Sequence, residues 1–160
     1  MTTKNIAILG LMLGIMIIFN ALESLIQPLP FFPPNVRLGF ANIIVMLCAL
    51  SMGGKQAVIL NVLKALFVLL ARGPMAGLLS LCGGMLSVFV IILLVKRSKT
   101  SYGAISVAGA CAHNTGQLAA AAFILSSPVI LYYLPVLIIA GIATGMLTGA
   151  ILKGLHGVIL

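Results

Sequence analysis

The chain has 160 residues, of which 62% are hydrophobic and 6% charged. Soluble domains carry about 25% charged residues, and a water-facing surface cannot be built from so few. The composition therefore excludes a soluble fold and makes lipid the solvent. The net charge of +8 does not mark a nucleic-acid binder, because the cations flank apolar runs, where topology signals sit, and form no basic face.

A helix crosses the hydrocarbon core in about 20 residues, which leaves room for about six spans and no separate soluble domain. The expected architecture is a single transmembrane domain over residues 1–160, an all-α six-helix bundle. Transmembrane barrel strands alternate polar and apolar residues. Here the apolar runs are nearly continuous, as in Val129 to Ala143.

Lys4 and the apolar stretch behind it resemble a signal peptide. The stretch continues to about Ile26, too long for a usual hydrophobic region, and no small-residue cleavage site follows it cleanly. It reads as a retained helix 1 over about Asn5 to Ile26. Gln27-Pro28-Leu29-Pro30 ends that helix, and Pro33-Pro34 keeps the next loop extended. Helix 2 is expected over about Leu38 to Met52, with a tight turn at Gly53-Gly54-Lys55. Helix 3 covers about Gln56 to Ala71 and breaks at Arg72-Gly73-Pro74; helix 4 covers about Met75 to Val95. Lys96-Arg97-Ser98-Lys99 is the most charged segment. Helix 5 covers about Ile105 to Leu125, closed by Ser126-Ser127-Pro128, and helix 6 about Val129 to Leu152.

An even helix count puts both termini on one side. With the N-terminus inside, the inner segments hold Lys4, Lys55, Lys96, Arg97, Lys99 and Lys153, and the outer ones only Arg37 and Arg72. This bias supports cytoplasmic N and C termini. Small residues recur at four-residue spacing: Gly10 and Gly14 in helix 1; Ala112, Gly116 and Ala120 in helix 5; Gly141, Gly145 and Gly149 in helix 6. Such stripes let helix backbones approach closely in lipid. They serve packing within the bundle or docking of a partner; for helices 5 and 6 packing is the favoured reading, and for helix 1 both stay open.

The polar residues inside the spans are few. Lys64 lies near the middle of helix 3, about 12 Å from either end at 1.5 Å per residue. That is a long reach for a snorkelling side chain, so a cavity-facing lysine is favoured. Glu23 is the only carboxylate side chain in the protein. It shares a face with Asn20 and pairs either with Arg37 or Arg72, or with a cationic group on a ligand. Helix 5 carries His113, Asn114 and Gln117, groups that need partners in lipid. Interhelical hydrogen bonds are one use and a ligand the other, and three such groups within five residues favour the ligand. Asn42 adds an amide on helix 2. Arg37, Lys64, Arg72, Asn42, Asn114 and Gln117 together offer many donors against one carboxylate, a balance suited to an anionic or acceptor-rich ligand.

Other chemistries are excluded. There is no Gly-x4-Gly-Lys-Ser/Thr loop for ATP and no Gly-x-Ser-x-Gly elbow. One carboxylate cannot build a paired-acid site or an acidic magnesium cluster. Cys48, Cys82 and Cys111 match no metal or redox spacing. The chain is not expected to be an enzyme, to bind a metal or to bind nucleic acid.

Several segments carry a resemblance: Leu22-Glu23-Ser24-Leu25-Ile26, the loop to Pro34, Val36-Arg37-Leu38-Gly39-Phe40-Ala41-Asn42, Ala112-His113-Asn114-Thr115-Gly116-Gln117, Tyr133-Leu134-Pro135-Val136-Leu137, and Gly145 to Gly149. Over nearly its whole length the chain resembles the bacterial family called both Gx transporter and heptaprenyl diphosphate synthase component I. That family usually has Lys where this chain has Arg37, which keeps the charge and changes its geometry. The family is similar to the substrate-binding S components of energy-coupling factor (ECF) transporters. The resemblance implies a multi-pass protein of the bacterial cell membrane with six helices and cytoplasmic termini. It implies a small-molecule ligand, a micronutrient, bound near the outer face. Phe31 to Arg37 would lie in a lid, and Gly10 and Gly14 would dock a transmembrane coupling subunit. A partner ATPase pair would hydrolyse ATP, with no cofactor held by this chain.

The substrate-binding residues expected on this reading are Asn20, Glu23, Arg37, Asn42, Lys64, Arg72, His113, Asn114 and Gln117. Two alternatives stand beside it: a solitary secondary transporter, and a noncatalytic membrane accessory subunit of a polyprenyl diphosphate synthase. The trans-type prenyl synthases hold magnesium and diphosphate with aspartate-rich motifs, and this chain contains no aspartate.

Overall fold

The computed structural model describes residues 3–26, 40–97 and 100–159. These form six α-helices: α1 (Thr3–Ile26), α2 (Phe40–Ser51), α3 (Gly54–Arg72), α4 (Pro74–Val95), α5 (Tyr102–Ile124) and α6 (Leu134–Ile159). A short 3₁₀ helix, Pro128–Tyr133, precedes α6. The described residues contain no strand.

Local chemistry sets the boundaries. Gly73 takes φ 91°, a left-handed value that side chains disfavour. Its N–H closes α3 on the Leu69 carbonyl at 3.0 Å. Pro74 then begins α4, where its missing N–H is not needed. Ser101 caps α5 by accepting from the Ala104 N–H at 3.3 Å.

The last helix departs from the sequence expectation at its start. A continuous helix from Val129 was expected, and a 3₁₀ turn occupies Pro128–Tyr133 instead. Pro135 has no N–H to donate back to the Leu131 carbonyl, so an α-helical ladder through that point lacks a bond. The Leu131 carbonyl accepts from the Leu134 N–H instead. At its other end α6 runs to Ile159 rather than stopping near Leu152.

Four helical stretches are long and apolar enough to cross a membrane: Thr3–Glu23, Gly54–Arg72, Pro74–Val95 and Pro128–Gly154. The two other helices fall short for different reasons. The 12 residues of α2 rise about 18 Å, against a core about 30 Å thick. α5 has the length, but His113, Asn114 and Gln117 dilute its apolar character.

Both exceptions are the enclosed helices. α2 touches α1, α3, α4, α5 and α6, and Ala41, Ile43, Ile44, Val45, Met46, Cys48 and Ala49 are all buried. A helix apolar on every side is suited to that central place. α5 lies between α4 and α6 and buries Ser106, His113 and Asn114. Large apolar side chains such as Leu11, Leu70, Phe89, Phe123 and Ile139 cover the outside, as a multi-pass membrane protein requires.

Consecutive helices from α3 to α6 run antiparallel, and glycines set the contacts between them. Gly77 lies against Leu69 and Gly84 against Asn61, between α4 and α3; Gly116 lies against Gly83, between α5 and α4. Gly145 lies against Val107 and Gly149 against Gly103, between α6 and α5. A Cβ at Gly145 would come within 2.5 Å of the Val107 Cα. The glycines of the α5 and α6 stripes are thus used for packing within the bundle. Gly10 and Gly14 differ: a Cβ at either would meet nothing within 4 Å, and both are exposed.

Candidate functional site

Several of the rare charged and amide groups of the first three helices lie inside the bundle, in two separate contacts. Lys64, on α3, is only 4% exposed. Its Nζ donates to Asn42 Oδ1, on α2, at 2.8 Å. A buried ammonium is tolerable only with such partners. Eight residues further along α3, about 12 Å, Arg72 donates from Nη2 to the Asn20 main-chain carbonyl at 3.2 Å. Asn20 and Glu23 are both buried on α1, three residues apart on one face. The only carboxylate side chain of the protein therefore belongs to the same turn that receives the Arg72 guanidinium. Arg37 and the expected lid, Phe31 to Arg37, lie outside the described residues.

The polar segment of α5 divides. Asn114 turns toward α6 and donates from Nδ2 to the Leu137 carbonyl at 2.8 Å. The Gln117 side chain packs on Gly83 of α4, as does the His113 main-chain carbonyl. His113 is 3% exposed. Asn114 and Gln117 thus face different neighbours.

Asn42 and Asn114 meet again on the wall of a small cavity between α2, α4, α5 and α6. Ser87, Ser106, Thr144 and Thr148 complete its polar lining. Its volume is about 20 Å³, room for a group the size of one water. Asn42 is the link between this cavity and Lys64.

Several polar residues of this interior were not anticipated from the sequence. Asn61, one turn before Lys64, is fully buried, as is Ser80. Neither side chain finds a hydrogen-bond partner among the described residues. The Asn61 amide lies directly over Gly84, where a Cβ would come within 2.6 Å of its Cγ. The available signal was a heptad-like stripe on α4. Gly77, Ser80, Gly84, Ser87 and Ile91 follow three- and four-residue steps and are all buried. Thr144 and Thr148 follow the same logic on α6, four residues apart and interleaved with Gly141 and Gly145.

These features define a helical membrane protein whose scarce polar groups are gathered inside the bundle rather than spread on its surface. Its family is also defined. The chain belongs to the family described as heptaprenyl diphosphate synthase component I, whose profile matches residues 12–155. No curated protein and no solved structure matches the chain.

Proposed function

We propose that this protein is the substrate-binding membrane subunit of an importer similar to an ECF transporter S component. It binds a small anionic or acceptor-rich molecule, and partner ATPases drive the uptake. Both termini are cytoplasmic and the chain crosses the membrane six times, with the short α2 and α5 enclosed inside the bundle.

The observation that carries this reading is the Lys64–Asn42 pair, a buried ammonium held on an amide at 2.8 Å. A charge inside a membrane domain is expensive and marks a functional site by default. Asn20, Glu23 and Arg72 supply further polar groups along α1 and α3. The chain has +8 net charge and one carboxylate side chain, so an anionic guest gains from the field. Gly10 and Gly14 support a docking role for α1, because they leave its surface open where the stripe glycines Gly116, Gly141, Gly145 and Gly149 are covered.

The family description favours a second reading, an accessory subunit of a heptaprenyl diphosphate synthase. With no aspartate, this chain would contribute membrane attachment rather than magnesium-dependent chemistry. Purification from native membranes in mild detergent tests the two. Retention of a transmembrane coupling subunit with an ATPase pair, lost in Gly10→Leu and Gly14→Leu, is the expected result. Retention of a soluble aspartate-rich synthase favours the second reading. Ligand uptake by this chain alone in vesicles would instead indicate a solitary transporter.

A further inference from the structure

The polarity of the cavity beneath Asn42 is fixed by its hydrogen bonds. Ser87 Oγ donates to the Gly109 carbonyl at 2.8 Å. Thr144 Oγ1 donates to the Ala140 carbonyl at 2.9 Å and Thr148 Oγ1 to the Thr144 carbonyl at 2.7 Å. Ser106 Oγ donates to Met46 Sδ at 3.3 Å. Carbonyl oxygens and thioether sulfurs only accept. The hydroxyl protons are therefore committed to these partners, and the oxygens keep their lone pairs.

The two amides are oriented in the same way. Asn114 donates one N–H to the Leu137 carbonyl, which turns its NH2 toward α6, beside Gly141, and leaves Oδ1 as an acceptor. Lys64 only donates, so it engages Asn42 Oδ1 and leaves the Asn42 NH2 as a donor. The wall thus offers mostly acceptors, from Ser87, Ser106, Thr144, Thr148 and Asn114, with one donor end at Asn42. Glu23, the only carboxylate side chain, is not on the wall, and the Lys64 ammonium stands behind Asn42. A cation there would face a like charge with no carboxylate on the wall.

The geometry points to a subsite for one neutral hydrogen-bond-donating group. Water takes it in the ligand-free protein, and a hydroxyl or N–H of the ligand displaces that water on loading. The inference rests on the anion-binding role proposed for Lys64. It adds that the ligand carries a donor group a few bonds from its anionic group, because Asn42 joins Lys64 to the cavity.

The test uses the full chain in lipid nanodiscs and two probes, γ-hydroxybutyrate and butyrate, which share a carboxylate and differ by one hydroxyl. The expected result is roughly three- to tenfold tighter binding of the hydroxylated probe, the worth of one hydrogen bond. Ser87→Ala and Thr144→Val should remove that preference while keeping butyrate affinity, which shows the variants are folded. Thr144→Ser, which keeps the oxygen, should retain it. Equal binding of both probes, or a preference that survives Ser87→Ala and Thr144→Val, overturns the subsite and leaves the anion role of Lys64 standing. Binding of neither probe by the wild type overturns that anion role, and the subsite with it.

Discussion

The Lys64 ammonium and the Asn42 side-chain carbonyl, 2.8 Å apart, tie α3 to the central helix α2. Either partner alone is costly in this interior, so their energies are coupled. Asn42→Leu should cost about 1.5–3 kcal/mol, as expected for a hydrogen bond to a charged group. Lys64→Met should cost about 1–3 kcal/mol by leaving the Asn42 carbonyl without its donor. The double variant should be less destabilised than the sum. Unfolding measurements in detergent on all four proteins check this, and strict additivity would refute the coupling.

Gly84 and Asn61 form a second coupled pair. Gly84→Ala drives a methyl group into the Asn61 amide, 2.6 Å from its Cγ. A loss of about 1–3 kcal/mol is expected from such overpacking. In an Asn61→Ala background the obstruction is gone, and Gly84→Ala should be better tolerated. Unfolding temperatures of the single and double variants report the difference.

The glycine stripes separate by what covers them. Gly145→Leu collides with the backbone at Val107 and should abolish folded yield in size-exclusion profiles. Gly14→Leu projects into open space and should leave that profile unchanged. Under the proposed function it should nevertheless lose the coupling subunit in co-purification.

Much of this architecture was legible from sequence because lipid makes polar residues conspicuous. The break at Gly73-Pro74 follows from chemistry that short range decides, whereas α5 was expected from about Ile105 and begins at Tyr102, behind the Ser101 cap. Asn42 and Lys64 stood out because amides and charges are rare in spans, and the structure joins them. The start of α6 was not legible. Pro128, Pro135 and the apolar run between them read as one helix until the missing Pro135 N–H is placed opposite a particular carbonyl. Ser80, Ser87 and Ser106 were passed over because small hydroxyl residues in membrane helices look like packing residues. Their significance depends on which neighbour they face, and that is decided by the tertiary arrangement. Gln117 and Asn114 show the same limit, since three residues of helix turn one toward α4 and the other toward α6.

The central claim is that Lys64 anchors a small anionic or acceptor-rich ligand inside the bundle. Native mass spectrometry of the protein released from its own membranes tests it most directly, with wild type and Lys64→Met compared. The account predicts a small anionic or acceptor-rich molecule retained by the wild type and lost from Lys64→Met, with both proteins eluting as folded species. A wild type that carries no such molecule, or a Lys64→Met variant that carries it equally well, would contradict the account.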